Sequence, residues 1–213
     1  MTDRYIDFHC HLLPGMDFDG TDSPEESAKM CELLNSQGVA TICATPHFYP
    51  WNEDVNAFLA RRAAASRRAH ALYGDTRVIL GAWTVPAIEN TIFKYSLTPV
   101  IAHMERYGLT TEQLRSLAAI PRMIFQITVG TLAERQMLPL LDRISSMGVP
   151  VVLGSDTHNT TSRPPRFHVV ARRMAEKPHL FDSSCKTAQA LIRNALHGQH
   201  VLERLICTPA VKR

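Results

Sequence analysis

The chain has 213 residues, 45% of them hydrophobic and 20% charged, with a net charge of +3 and an isoelectric point near 8.7. That length and apolar content suit one domain over residues 1–213 with a substantial core. The mild charge is scattered except at Arg61-Arg62 and Arg67-Arg68, which reads as a solvated helix face, and no apolar run is long enough to cross a bilayer, so neither nucleic acid binding nor membrane insertion is expected.

In chain order, Tyr5-Ile6-Asp7-Phe8 reads as a short buried strand. His9 and His11 follow it two residues apart, so a persisting pleat would send both imidazoles off the same side of the strand end, where one cation could bind both. The first helix opens with Ser23 as N-cap, Pro24 in the first turn and Glu26 at the capping-box position, and Gly38 closes it. The apolar run Val39–Ala44 gives a strand over about 40–44, and Thr45-Pro46-His47 follows. A second helix, rich in Ala and Arg, runs from Val55 to Tyr73 and ends at Gly74.

Strands are expected at 77–80, 99–102, 124–127 and 150–154. Between the first two there is room only for a helix over Val85–Ile92, which makes a single connection. His103 stands just past the strand that Pro99 opens. Leu132–Met147 reads as a helix closed by Gly148, which Pro139 should kink or restart. Asp156 and His158 follow the strand at 150–154. This alternation is that of parallel β/α construction, in which groups past the C-terminal strand ends converge in space. The convergent set mixes imidazoles with a carboxylate, a combination that favours Mn, Fe or Zn over Ca.

Five cysteines, at positions 10, 31, 43, 185 and 207, are odd in number and lack CxxC spacing, so reduced core thiols and a cytoplasmic location are expected. The N-terminal Met-Thr-Asp-Arg does not open a basic region followed by an apolar stretch. Cys10 is not placed as a cysteine-phosphatase nucleophile, because such an enzyme needs an arginine six residues on and position 16 is Met.

Taken together, Asp7–Gly20, Ala44-Thr45-Pro46-His47, Pro99–Tyr107, Gly154–Asn159 and Arg163-Pro164-Pro165 resemble the PHP (polymerase and histidinol phosphatase) superfamily. Within it they resemble the bacterial manganese-dependent tyrosine phosphatases of capsular and exopolysaccharide gene clusters. The resemblance implies a distorted (β/α)7 TIM-like barrel and up to three manganese ions, with iron or zinc as alternatives. It places His9, His11 and Asp156 on one ion, His103 on a second, and Asp19, His47 and His158 on a third. Arg106 and Arg163 fall at the family's phosphate-binding positions, where guanidinium forks suit phosphoryl oxygens. The family has two adjacent acidic residues before the glycine; here Phe18 separates Asp17 from Asp19, so Asp17 is a substitute for Asp19.

The implied activity is hydrolysis of phosphotyrosine on a protein substrate, the tail of a bacterial tyrosine kinase that regulates polysaccharide export. One departure bears on it. The family strand matching Val78–Ala82 is followed at once by a metal-bridging glutamate, and Trp83 stands in its place. An indole has one N–H donor and no lone pair to offer a cation. Roughly 30 to 40 residues, about one strand–helix unit, are missing between this point and Pro99. An incomplete barrel is expected, its strands re-paired across the gap or its edges left open to self-association, with Trp83 filling part of the vacated space. The rival readings are a catalytically impaired metal-binding pseudoenzyme and another PHP phosphoesterase such as a histidinol phosphatase. His70, His168, His179, His197 and His200 read as ordinary histidines, Trp51 as an entrance or packing residue, and Thr128 as facing the site without ligating.

Overall fold

Strand β1 (Tyr5–Cys10) is buried over its last four residues and pairs in parallel with β2 (Val39–Ala44), which pairs in turn with β4 (Arg77–Leu80). These coordinates are a computed structural model, which describes residues 5–84, 99–176, 178–197 and 206–207. Past an interruption at Thr45-Pro46 and Gly81, the same pairing resumes as β3 (His47–Phe48) against β5 (Ala82–Thr84). The join is stitched by Gly81 N donating to Ala44 O at 2.7 Å and Trp83 N to Pro46 O at 2.9 Å. Strands β6 (Pro99–Ile101), β7 (Ile124–Thr128) and β8 (Val151–Gly154) follow side by side, also parallel.

β1 runs two residues further than the sequence suggests because β8 flanks it. Asp156 N donates to His9 O at 2.8 Å and His11 N to Thr157 O at 2.9 Å, with Cys10 bridging to Thr157. With β9 (Ile206–Cys207), the described strands thus form two parallel sheets, of order β1-β2-β4 and β3-β5-β9-β6-β7-β8, and no closed barrel. The strand expected to be missing after Ala82 leaves an edge, which a strand from far along the sequence takes: β9 (Ile206–Cys207) pairs with β5 on one side and β6 on the other.

Helix α1 (Pro24–Ser36) starts where expected, with the Ser23 side chain accepting from Glu26 N. The glutamate does not complete a capping box. Its Oε1 instead accepts from the amide and hydroxyl of Thr160, each at 3.1 Å, which ties α1 to the loop after β8. α2 (Val55–Ala69) is shorter than expected; a 3₁₀ turn over His70–Leu72 carries the chain to Gly74, whose φ of +56° ends it. The helix expected over Leu132–Met147 is broken into 3₁₀ turns at Val129–Ala133 and Arg135–Met137, followed by α4 (Leu138–Ser146) with Pro139 in its first turn, so the proline restarts the helix. α3 (Thr111–Ala118) was not expected; it is held by a capping box between Thr110 and Gln113. α5 (His168–Glu176) and α6 (Pro178–His197) complete the described helices. The helix expected over Val85–Ile92 lies outside the described residues.

Period-two alternation along the strands divides the core. Phe8, Cys43, Ile79, Val100, Ile124 and Val152, one from each of six strands, pack with Ala188 of α6, while Ile42, Phe125, Ile127 and Val151 belong to a larger cluster with Phe58, Phe167 and Phe181. Cys10, Cys31 and Cys43 are buried thiols outside any disulfide. Among the described residues no helix is long and apolar enough to cross a membrane.

Candidate metal centre

The C-terminal strand ends deliver five imidazoles to one place, and each is held by its Nδ1 atom. His9 Nδ1 faces Gln126 Oε1 at 3.3 Å, His11 Nδ1 faces Asp17 Oδ2 at 3.0 Å, and His47 Nδ1 faces Asp17 Oδ1 at 2.9 Å. His103 Nδ1 faces Thr128 Oγ1 at 2.9 Å, and His158 Nδ1 faces the carbonyl of Asp156 at 2.9 Å. A carboxamide oxygen, a carboxylate or a backbone carbonyl can only accept, so in four of the five pairs the proton sits on Nδ1 and the Nε2 lone pair is free.

Those lone pairs converge. His9 Nε2 and His11 Nε2 are 3.0 Å apart with no proton for either to share, an arrangement that repels unless a cation lies beside it. Asp156 Oδ1 is 3.6 Å from His9 Nε2, 3.7 Å from His11 Nε2 and 3.8 Å from His103 Nε2. Its other oxygen accepts from Arg106 at 2.5 Å and Arg163 at 2.7 Å. The donor set therefore fits divalent cations of the borderline class: neutral nitrogens around a shared carboxylate. His103 and Asp156 both hold left-handed backbone, with φ of +55° and +56°, a conformation costly outside glycine and frequent where a side chain must be aimed.

Burial keeps His9, His103 and His158 neutral, as ligands must be. It pushes His103 and His158 down to about 4 and His9 well below its ordinary value, helped at His9 by the neighbouring His103 and His11. Burial alone would raise Asp17, but hydrogen bonds from His11 and His47 override it and hold the carboxyl far below the usual range. At Asp156 burial is likewise outweighed by its neighbours, His9, His103 and His11 on one side and the Arg163 guanidinium on the other. Burial pushes Asp7 up to about 7; its Oδ1 accepts from the amides of His9 and Ser155 and so pins the ends of β1 and β8 together.

These shifts give the metal-free protein a pH dependence. Between pH 6.5 and about 4 the unfolded chain binds protons that the folded histidines refuse, so stability is lost as pH falls through that window. Asp7 and Glu105 oppose this, because burial raises both and the folded state holds their protons, at Asp7 up to about pH 7. Three histidines outweigh the two carboxyls. The melting temperature in EDTA is expected to drop by about 5–10 °C from pH 6.5 to 4.5, at about 1.4 kcal/mol per uncompensated pKa unit and about 2–4 °C per kcal/mol for a chain of this size. A flat or rising profile would show histidines titrating normally.

The expected residues come together: His9, His11 and Asp156, expected on one ion, have donor atoms 3.0 to 3.7 Å apart. The potential donor groups are His9 with His103 and Asp156, His11 with Asp156 and His158, and His11 with Asp17 and His47. Asp17, not Asp19, therefore stands with His47. Asp19 Oδ2 is 3.3 Å from His158 Nε2 and accepts from Arg163 at 2.9 Å, at the rim. Phe18, 92% exposed, separates the two carboxylates so that one turns inward. The third group is built on Nδ1 atoms, and there Asp17 orients both rings.

Gln126 was not singled out from the sequence. Fully buried in β7, its Oε1 also accepts from His103 N at 3.1 Å, so one side chain fixes two imidazoles; the signal was a polar residue inside an otherwise apolar buried strand. Trp83 meets His47 edge-on at 5.0 Å, its buried Nε1 without a hydrogen-bond partner. Cys10 is fully buried and its thiol is pushed well up by that burial, so it offers no thiolate. His70, His168 and His179 are exposed and away from the cluster.

Residues 5–82 match the family model for capsular polysaccharide synthesis, CpsB/CapC. Over 220 aligned positions the chain is 28% identical to the tyrosine-protein phosphatase YwqE of Bacillus subtilis (strain 168), with 76% of this chain and 80% of that protein covered. Since 76% of 213 residues is about 162, about 58 of the 220 positions stand opposite gaps in this chain, more than the roughly 30 to 40 residues expected to be missing after Ala82. In three dimensions the chain is similar, with a TM-score of 0.66 and 22% identity over 98% of this chain and 100% of the other, to a structure reported for YwqE from Bacillus subtilis and CpsB from Streptococcus pneumoniae, metal-dependent tyrosine phosphatases. The family resemblance read from the strand-end motifs is borne out.

Proposed function

We propose that the chain is a metal-dependent protein-tyrosine phosphatase, a single PHP-type domain over residues 1–213 whose distorted barrel lacks one strand–helix unit. The observation that carries this reading is the carboxylate of Asp156, with three imidazole Nε2 atoms around one oxygen and two guanidinium groups on the other. Its chemistry suits ions on one side and a phosphoryl group on the other.

His9, His103 and Asp156 would hold one ion and His11, Asp156 and His158 another, with Asp19, His47 and Asp17 contributing beside them. Manganese is the proposed metal, with iron or zinc as substitutes. When bound, the ions supply Lewis acidity and lower the pKa of water, so no protein nucleophile is needed. Arg106 and Arg163 bind and orient the phosphoryl oxygens and neutralise the charge that builds on them. Gln126 and Asp17 keep the imidazoles of His9, His11 and His47 in the tautomer that ligates, and Thr128 orients His103. The tyrosine tail of a cytoplasmic kinase regulating polysaccharide export is the proposed substrate.

The decisive assay is hydrolysis of a phosphotyrosine peptide with manganese, with and without EDTA, by the native chain and by Arg163→Ala. Manganese-dependent turnover is expected, abolished by EDTA, with KM raised about 10- to 100-fold in the variant, as the loss of a charged hydrogen-bond pair predicts. Trp83, in the place of a bridging carboxylate, favours one other reading: a pseudoenzyme that binds phosphotyrosine without turning it over. Folded, metal-loaded protein with no turnover would establish that alternative.

A further inference from the structure

Two large apolar side chains stand far into solvent, Phe18 at 92% and Trp51 at 67% exposure. Single exposed hydrophobics are ordinary. What sets these apart is that both are wired to the metal centre. Phe18 lies between Asp17, whose two oxygens hold His11 and His47, and Asp19, which faces His158 and Arg163. Trp51 is the outer member of a run of rings: it packs on Tyr49 at 5.3 Å, Tyr49 stacks on His47 at 5.5 Å with planes only 9° apart, and Trp83 closes the inner end against His47. Burial raises the Tyr49 phenol above its ordinary value, so this ring stays uncharged at neutral pH.

We propose that Tyr49, Trp51 and Phe18 form an aromatic grip for the leaving group, selecting aryl over alkyl phosphomonoesters. The inference rests on the phosphatase reading and specifies its substrate class. A phosphoryl group at Arg106 and Arg163 brings its leaving group to the mouth of the same cluster. There an aryl ring gains stacking contact that a serine or sugar leaving group cannot make.

The test is calorimetric binding of phenylphosphonate and methylphosphonate, which cannot be hydrolysed, to the manganese-loaded protein. Phenylphosphonate is expected to bind about 3- to 10-fold more tightly, the range of one good aromatic pair. Trp51→Ala and Phe18→Ala, both at exposed positions and checked for folding by circular dichroism, should each reduce that preference and leave methylphosphonate affinity unchanged. Equal affinity for the two ligands in the native protein, or a preference untouched by both variants, overturns the grip while leaving the phosphatase reading intact. Binding of neither ligand removes the phosphoryl site at the arginines, and the grip falls with it.

Discussion

Asp156→Asn is expected to strip the protein of its ions and lower turnover of a phosphotyrosine peptide by more than about 100-fold, since partners of metal ligands alone are typically worth about 10- to 100-fold. The reason is sharing. Asp156 belongs to two of the three donor groups, so one substitution dismantles both. Asparagine is the informative replacement because it tolerates the left-handed backbone at φ +56°, which alanine would strain, and because it keeps the size of the side chain. The metal-free variant should melt close to the native metal-free protein: the arginines that lose a charged partner, Arg106 and Arg163, are 52% and 36% exposed and can turn to water. Metal content after dialysis against manganese, measured by mass spectrometry beside turnover, checks the prediction. A variant that retained ions and activity would show that the imidazoles hold the metal without the Asp156 carboxylate.

Gly154→Ala should damage stability and site together. A Cβ at this position would lie 2.5 Å from the Cβ of His9 and 2.7 Å from Nε2 of Gln126, distances at which something must move. β8 cannot yield, because it is buried throughout, paired with β7 and flanked by β1. The strain therefore falls on His9 and Gln126, the side chains that align the first donor group. Overpacking of this kind costs about 1–3 kcal/mol, here at the upper end, so a fall of about 5–10 °C in melting temperature and a loss of at least about tenfold in manganese affinity are expected. Gly148→Ala is the matched control. Its φ of +66° makes the substitution locally strained but nothing lies within 4 Å of the added carbon, so stability should drop modestly and metal affinity should not change. Equal metal affinity in both variants would show that His9 does not need its present position.

Much of the scaffold was legible because buried parallel strands are continuous apolar runs, and four of the six runs here lead to a chemically distinctive residue: His9, His47, His103 or Asp156. The end of α1 and the restart at Pro139 could be read from glycine and proline alone. Other features turn on tertiary contacts that leave little local trace. α3 has only eight residues and its apolar stripe only Leu114, Leu117 and Ala118, so its Thr-x-x-Gln cap was the clearer signal. β9 is two residues long and owes its place to an edge left by β5 and β6. The partition of donors among ions depends on which way Asp17 and Asp19 turn around Phe18, and spacing does not encode that. Gln126 was visible as an amide in the run Ile124–Ile127, but its partners, His9 and the amide of His103, come from two other segments of the chain.

The carboxylate of Asp156 also makes two binding events thermodynamically dependent on each other. Its charge, undivided, holds Arg106 and Arg163; a cation drawing on the same group weakens that hold and frees both forks for an anion. Linkage makes the effect reciprocal, so an anion that engages the arginines must tighten cation affinity by the same factor. Phosphate would then act as a heterotropic effector of metal retention, and the protein would hold its ions most firmly while product remains in place.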